Sequence, residues 1–295
     1  MAQVIGEPPA CQGPATPPRG ATRFVVPAGA VDTHAHVIGL PPAYPLVPER
    51  RYTAPEASAA AYLAMLDATG MDFGVLVQAS VHGVANDLMM EVLRANRQRL
   101  RGIAVAPHDL ADRAYQALRD GGVRGLRLNV LYGGGIGFAH LAHYGALCRD
   151  WGWHLQFLVD ARDLPALSPN IAKLPVPVVV DHMGHFPTSE GIGCQGFQTL
   201  LAMVRDRHWV KLSGAFRTSV GELPFADTIP FARALLAASP DRCVWGSDWP
   251  HVAHPGPMMN VGDLLDLVAD WCPDPAMRHR MLVDNPQRLY GFEAG

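Results

Sequence analysis

The chain has 295 residues, of which 49% are hydrophobic and only 17% are charged, and its formal net charge is −3. This composition supplies a large core, excludes global disorder and argues against a nucleic-acid-binding protein, which would be basic. The five cysteines are scattered without a CxxC pair, and neither an 18-residue apolar run nor a signal peptide occurs. We therefore expect a cytoplasmic protein with reduced thiols that binds neither nucleic acid nor membrane. The sequence leaves homo-oligomer formation open.

Residues 1–22 are predicted to be a disordered tail. Five prolines fall in this stretch, which has almost no apolar periodicity. Such a segment cannot offset its ordering entropy by burying apolar surface. We therefore expect one folded domain over residues 23–295, and we expect removal of residues 1–20 to leave the melting temperature and the activity almost unchanged.

Beyond the tail, short apolar segments alternate with helical ones. The predicted strands cover residues 30–37, 73–79, 100–106, 123–130, 153–159, 176–181, 210–213 and 243–247. Helices are expected between them; the first spans residues 55–69, with Thr53 and Glu56 as a capping box and Gly70 as its end. The strands are continuously apolar, as in parallel sheets covered on both faces. Eight such units predict an α/β fold, a single-domain (β/α)8 TIM barrel.

A doubly wound open sheet is the alternative fold. It would need a glycine-rich phosphate turn after an early strand, and none is present. Residues Gly133–Gly135 follow the fourth strand, but their spacing does not match a dinucleotide-binding motif. We interpret them as a flexible active-site loop.

Polar residues occur where catalytic groups of a barrel are expected, at the carboxyl ends of strands. His34 and His36 end the first strand, two residues apart and therefore on one face. His182 ends the sixth strand and Asp248 follows the eighth, which neighbours the first in a closed barrel. These side chains could polarise a carbonyl or bind one cation. Packed histidines and a helix-capping aspartate are the alternative reading.

Candidate substrate-binding residues lie at other strand ends. Arg127 sits inside an apolar run and Arg217 follows the seventh strand, so each could hold an anion by paired hydrogen bonds. For Arg127 the alternative is a salt bridge to a structural carboxylate. Ser80 and His82 follow the second strand, where either residue could instead be an ordinary turn residue.

The combination resembles the amidohydrolase superfamily, in its amidohydrolase family 2 branch. The resemblance spans roughly residues 28–292 and rests on AVDTHAHVIG, PERRYT, VQASVHG, GVRGLRLN, VVVDHMGH, KLSGAFR, WGSDWPH and LVDNPQRLYGF. Within this branch the chain is similar to the 2-pyrone-4,6-dicarboxylate lactonases. That similarity implies that Asp248 activates water and that His34, His36 and His182 surround the lactone carbonyl. It also implies substrate contacts from Tyr52, Ser80, Arg127, Arg217 and His251.

Three positions depart from the lactonase pattern. Gly133 and His185 replace basic residues, and Leu158 replaces a tyrosine. His185 could partly substitute for an arginine, but only when it is protonated. We therefore expect a substrate less acidic than the dicarboxylate, such as a monocarboxylated, sulfonated or sugar-derived lactone.

The sequence thus predicts a hydrolase that opens a small lactone ring with water activated by Asp248. No cofactor is expected to be required. Members of the superfamily with two metal ions use a bridging lysine or glutamate and a strand-five histidine, and this chain lacks both. One Zn²⁺ or Mn²⁺ held by His34, His36, His182 and Asp248 remains the alternative. Two other functions stay open: a metal-dependent decarboxylase of an aromatic or muconate-type acid, and a non-catalytic barrel that binds a small anion.

Overall fold

The computed structural model describes residues 7–292, and its framework is a parallel eight-stranded barrel. The strands follow one another in chain order around the sheet. Trp249, just beyond the last strand, closes the ring by pairing with Ala35 of the first. The strands are β1 Val31–Ala35, β2 Phe73–Val77, β3 Leu100–Ala104, β4 Val123–Asn129, β5 His154–Leu158, β6 Val178–Val180, β7 Trp209–Leu212 and β8 Cys243–Trp245. The prediction of a (β/α)8 barrel is confirmed.

Helices cover the outside of the barrel. They are α1 Ala59–Thr69, α2 Asp87–Ala95, α3 Asp112–Asp120, α4 Leu141–Trp151, α5 Leu164–Ile171, α6 Gln195–Asp206, α7 Ala215–Thr218, α8 Ile229–Ala238, α9 Val261–Trp271, α10 Pro275–His279 and α11 Asn285–Tyr290. A π-helical turn, Arg280–Asp284, joins the last two. None of the helices within residues 7–292 is long and apolar enough to cross a membrane.

The start of α1 differs from the prediction. Its N-cap is Ser58, whose hydroxyl accepts a hydrogen bond from the amide of Ala61. Thr53 instead lies in an isolated bridge with Ala10. Gly70 ends the helix in the left-handed conformation, as predicted. The long segment between β1 and α1 therefore has no helical turn at Thr53 and depends on contacts with other parts of the chain.

The predicted disordered tail also differs from the structure over the residues that are described. Residues 1–6 lie outside the described part of the chain. From residue 7 to residue 22 the chain follows a defined path along the barrel and makes hydrogen bonds to Thr53, Asn260 and Asp266. Backbone hydrogen bonds and ion pairs order this segment, whereas the prediction considered only apolar burial.

Candidate active site

Three imidazoles surround one buried carboxylate at the carboxyl end of the barrel. Asp248 Oδ1 lies 3.7 Å from Nε2 of His34 and 3.7 Å from Nε2 of His36, and its Oδ2 lies 3.8 Å from Nε2 of His182. All four residues are buried. The structure therefore brings together the four residues that the sequence placed at three separate strand ends.

The backbone after β8 is shaped to place Asp248 beside β1. A Cβ atom on Gly246 would lie 2.8 Å from the amide nitrogen of His34, so only glycine allows this approach. The amide of Asp248 donates to the carbonyl of His34 over 2.7 Å. Asp248 itself has a φ of +59°, an uncommon conformation for a residue with a side chain. These contacts fix the carboxylate against His34 of β1 and against His36, which follows the strand.

The hydrogen-bond partners of the ring nitrogens set which nitrogen carries the proton. His36 Nδ1 lies 2.7 Å from the carbonyl of Val77, which can only accept, so neutral His36 presents an Nε2 lone pair. Nδ1 of His34 lies 3.4 Å from Lys211 Nζ, which can donate to it, and 3.3 Å from Asp181 Oδ1, which can accept from it, so its proton can be carried on Nε2 or on Nδ1. His182 Nδ1 lies 2.9 Å from the hydroxyl of Ser213, which can donate or accept.

Burial keeps two of these imidazoles neutral. It lowers the pKa of His34 to about 3 and holds the pKa of His182 well below its usual value. His34 and His182 therefore act as neutral hydrogen-bonding groups at neutral pH.

A buried ionic network lies beneath the histidines. Asp181 Oδ2 accepts hydrogen bonds from Arg127 Nε and Nη2, at 3.2 and 3.1 Å, and from Gln156. Its other oxygen lies 3.8 Å from Lys211 Nζ. Burial would raise the pKa of Asp181, but the adjacent His34, Arg127 and Lys211 hold it well below its usual value. For Arg127 the structure shows the salt bridge that was the alternative to anion binding, although the side chain also lines the cavity described below.

Arg217 is the direct partner of the carboxylate in the cavity. Its Nε donates to Asp248 Oδ2, Nη1 donates to the hydroxyl of Tyr132 over 3.2 Å, and Nη2 donates to the carbonyl of Val252 over 3.0 Å. Burial opposes ionisation of Asp248, but Arg217 and the imidazoles outweigh it and hold the pKa of Asp248 well below its usual range. Asp248 is therefore ionised at neutral pH, and its Oδ1 makes no hydrogen bond within the described chain.

A small cavity opens above these groups. Its lining consists of His36, Tyr52, Ser80, Arg127, Tyr132, Leu158, His182, Arg217, Asp248 and Val252. The hydroxyls of Tyr52 and Ser80 lie 3.0 Å apart. Most of the predicted substrate-binding residues are therefore gathered around one space.

Three predicted substrate-binding histidines do not belong to this lining. His82 is engaged by backbone groups at both ring nitrogens, from Gly39 and Pro45. The ring of His185 lies 6.0 Å from that of His182, and burial lowers its pKa to about 4, so it adds no positive charge at neutral pH. His251 is buried against Phe216 without a hydrogen bond to either ring nitrogen among the described residues.

The glycine loop after β4 is closely packed. A Cβ atom on Gly133 would lie 1.8 Å from the carbonyl oxygen of Glu49, so the backbone of another loop occupies the space of a side chain. Asn129 Oδ1 accepts hydrogen bonds from the amides of Leu131 and Tyr132, at 3.0 and 3.1 Å. The loop thereby directs Tyr132 to the cavity and leaves no room for a basic side chain at residue 133.

The four central residues also fit a single divalent cation. Three imidazole nitrogens and one carboxylate oxygen form a donor set that suits Zn²⁺. His34 Nε2 and Asp248 Oδ1 are buried and lack hydrogen-bond partners within residues 7–292. To bind a cation, His34 would move its proton to Nδ1, where Asp181 Oδ1 lies 3.3 Å away. The ligand atoms of His34, His36 and Asp248 lie close enough together to bind one ion.

Tyr132 and the two buried groups Asp181 and Lys211 are parts of the site that were not predicted from the sequence. Lys211 carried a usable signal, since it is a charged residue between Val210 and Leu212 in an apolar strand. Tyr132 carried no such signal, because its direction depends on the packed loop that contains Gly133.

The family model described as amidohydrolase matches residues 31–292. The chain belongs to the amidohydrolase family. It is 40% identical to 4-sulfomuconolactone hydrolase of Rhizobium radiobacter, over 98% of both chains. It is 36% identical to 2-pyrone-4,6-dicarboxylate hydrolase of Comamonas testosteroni, over 91% of this chain and 92% of the other.

The fold is likewise that of solved family members. A probable 2-pyrone-4,6-dicarboxylic acid hydrolase from Acinetobacter baumannii, with citric acid bound, is 27% identical. It superposes with a TM-score of 0.79 over 90% of this chain and all of the other. The predicted membership of this amidohydrolase branch is confirmed.

Proposed function

We propose that the protein hydrolyses an anionic lactone, opening its ring with water activated by Asp248. The observation that carries this proposal is the free Oδ1 of Asp248, which is ionised, buried and 3.7 Å from two imidazole Nε2 atoms. Ester hydrolysis needs a base for the attacking water and hydrogen-bond donors for the carbonyl oxygen. Both kinds of group meet at this point.

The water is held between Asp248 and His36. Nδ1–H of His36 donates to the carbonyl of Val77, so its Nε2 accepts one hydrogen of the water while Asp248 Oδ1 accepts the other. The water oxygen then attacks the lactone carbonyl carbon, and its proton moves to Oδ1. The ring C–O bond breaks next, and the proton passes from Asp248 to the leaving alkoxide or enolate oxygen.

The developing oxyanion is stabilised by the other two imidazoles. His34 presents an Nε2–H when Lys211 donates to its Nδ1, and His182 presents an Nε2–H when Ser213 donates to its Nδ1. Removal of one such donor typically costs about 10²- to 10³-fold in kcat. Lys211 is thus a positioning residue for His34.

The substrate class follows from the charges around the cavity. Arg127 and Arg217 are both paired with carboxylates of the protein itself, and Leu158 adds an apolar wall. His185 is neutral and Gly133 carries no side chain. The site therefore suits a lactone with a sulfonate or one carboxylate better than the dicarboxylated pyrone. The 40% identity to a 4-sulfomuconolactone hydrolase supports this choice.

We further propose that turnover requires no metal ion. His34, His36, His182 and Asp248 would hold a divalent cation, which when bound supplies Lewis-acid polarisation of the carbonyl. Two positive charges oppose its binding, since Arg217 already neutralises Asp248 and Lys211 lies 3.4 Å from His34. The residues of the chain supply the base and the oxyanion donors without it.

The test is a comparison of lactones with the full-length protein. Specificity constants are measured for 4-sulfomuconolactone, 2-pyrone-4,6-dicarboxylate and a sugar lactone, before and after prolonged chelation. We expect the sulfonated lactone to be preferred and chelation to leave its turnover unchanged. Hydrolysis of none of these lactones would refute the function. Loss of activity on chelation, with recovery on adding Zn²⁺ or Mn²⁺, would refute metal independence, and release of CO₂ from an aromatic acid would favour a decarboxylase.

A further inference from the structure

The N-terminal segment, residues 8–19, connects two loops that line the cavity; we refer to it as the strap. Its first attachment is a backbone pairing with Thr53. The amide of Cys11 donates to the carbonyl of Thr53, and the amide of Thr53 donates to the carbonyl of Pro9, each over 2.8 Å. The Thr53 hydroxyl donates to the carbonyl of Pro8 over 3.2 Å. The strap therefore fixes the residue next to Tyr52.

Tyr52 belongs to a long irregular segment between β1 and α1. Its side chain is buried, lines the cavity and shares a hydrogen bond with Ser80. The pairing of Thr53 with the strap holds the backbone immediately after this tyrosine. Ile38 and Ala57 pair with each other near the two ends of this segment, and the pairing of Thr53 with the strap fixes the backbone between them.

The second attachment reaches the loop after β8. The amide of Ala253 donates to Cys11 Sγ over 3.2 Å. The preceding residue, Val252, lines the cavity, and its carbonyl accepts a hydrogen bond from Arg217. Through its backbone amide and its sulfur, Cys11 thus contacts both loops.

The third attachment anchors the strap at the start of α9. Asn260 Nδ2 donates to the carbonyl of Pro17 over 2.9 Å, and the amide of Arg19 donates to Asn260 Oδ1 over 2.8 Å. The guanidinium of Arg19 pairs with Asp263 and Asp266. Prolines restrict the unfolded strap, so ordering it costs less entropy than ordering an average segment.

We propose that the strap is a positioning element of the active site. It holds Tyr52, Val252 and Arg217 in the arrangement that binds the substrate. This inference rests on the proposed lactone hydrolysis. It reverses the sequence-based expectation that residues 1–20 can be removed without effect. A strap that merely added stability would change the melting temperature and leave KM unchanged.

The experiment is a double-mutant cycle with 4-sulfomuconolactone. Wild type, a truncation lacking residues 2–20, Tyr52→Phe and the combination are compared. We expect the truncation to raise KM about fivefold, the effect of losing one neutral hydrogen bond, with kcat changed about twofold or less. Tyr52→Phe should raise KM in the full-length protein and have little further effect in the truncated one, because coupled sites are non-additive. Additive effects, or an unchanged KM in the truncation, would overturn the proposal.

Two controls keep the test decisive. His143→Gln changes an exposed residue of α4 that contacts the carbonyl of His108, so its effect on KM should be the same with and without the strap. If the truncated chain does not fold, Cys11→Ser and Cys11→Ala replace it. Serine retains an acceptor for the Ala253 amide and should behave as wild type, whereas alanine should raise KM. Equal KM values for these two variants would contradict the role of the sulfur.

A separate measurement distinguishes failure of the strap from failure of the proposed function. Hydrogen exchange is followed at the amides of Thr53 and Ala253, which donate to the strap. We expect exchange at both to become at least about tenfold faster on truncation, with or without a known substrate. Unchanged exchange would refute the strap, while absent lactone turnover by the wild type would refute the function alone.

Discussion

Asp248→Asn separates the proposed catalytic role of this residue from its structural role. Asparagine keeps the size of the side chain and can still accept from Arg217, but it loses basicity and negative charge. We expect kcat to fall by about 10² to 10⁴, the range for a lost general base. Because Arg217 loses its neutralising partner, its attraction for an anionic substrate increases, so KM should fall or stay unchanged.

The same substitution weakens a buried ion pair. Breaking such a pair costs about 3–5 kcal/mol when the remaining charge is fully desolvated. Arg217 keeps its bonds to Tyr132 and the carbonyl of Val252 and borders the cavity, so a cost of about 1–3 kcal/mol is expected. At about 2 °C per kcal/mol for a chain of this size, the melting temperature should fall by about 2–6 °C.

Steady-state kinetics and thermal unfolding are measured for this variant and for Asp227→Asn as a matched control. Asp227 also accepts several hydrogen bonds, from Ser219, Thr188 and the amide of Val220, but it does not line the cavity. The Asp227→Asn variant should therefore be less stable than wild type but keep its kcat. A kcat within about tenfold of wild type for the Asp248 variant, or a raised KM with unchanged kcat, would refute the assignment of Asp248 as the base.

Three further predictions concern specificity and stability. Tyr132→Phe removes a hydroxyl that accepts from Arg217 and leaves the ring packing intact, so KM for the sulfonated lactone should rise about fivefold, measured by initial rates. Gly133→Arg should lower the melting temperature without improving kcat/KM for the dicarboxylate, because its Cβ would lie 1.8 Å from the Glu49 carbonyl. Burial lowers the pKa of His154 to about 3, so the unfolded chain takes up its proton first and stability falls as the pH drops below about 6.5. The free energy of unfolding of His154→Gln, measured with urea, should fall less between pH 6.5 and pH 5.5 than that of wild type. The difference between the two proteins should be about 1.4 kcal/mol at most.

The barrel and its central residues were predictable because both depend on local pattern. Continuous apolar segments identify buried parallel strands, and catalytic groups of this fold follow their carboxyl ends. His34, His36, His182 and Asp248 could be grouped without coordinates for that reason. What the pattern did not contain was the partner of each charge. The pairing of Arg127 with Asp181 depends on the register of the three strands β4, β5 and β6, which cannot be predicted from the local sequence pattern.

The order of the strap is a second feature that could not be predicted from the sequence. This order comes from a few hydrogen bonds with Thr53, Ala253 and Asn260, which lie 40 or more residues away along the chain. A proline-rich segment without apolar periodicity has the same composition whether or not such partners exist. The expected capping box at Thr53 was wrong for a related reason, since the backbone of Thr53 pairs with the strap and Ser58 caps the helix.

We expect Arg217 to link the charge of the substrate to the rate of the proposed hydrolysis. All three of its nitrogens are engaged, with Asp248, Tyr132 and the Val252 carbonyl, so an arriving anion must share or displace one of these partners. An anion that draws the guanidinium away from Asp248 removes a charge that holds the pKa of Asp248 low and thereby makes the carboxylate a stronger base. A neutral lactone of the same ring size leaves the pair intact. We therefore expect the neutral lactone to show a lower kcat as well as a higher KM than the sulfonated one. Saturation kinetics with both would test this, and equal kcat values would show that Arg217 contributes binding energy alone.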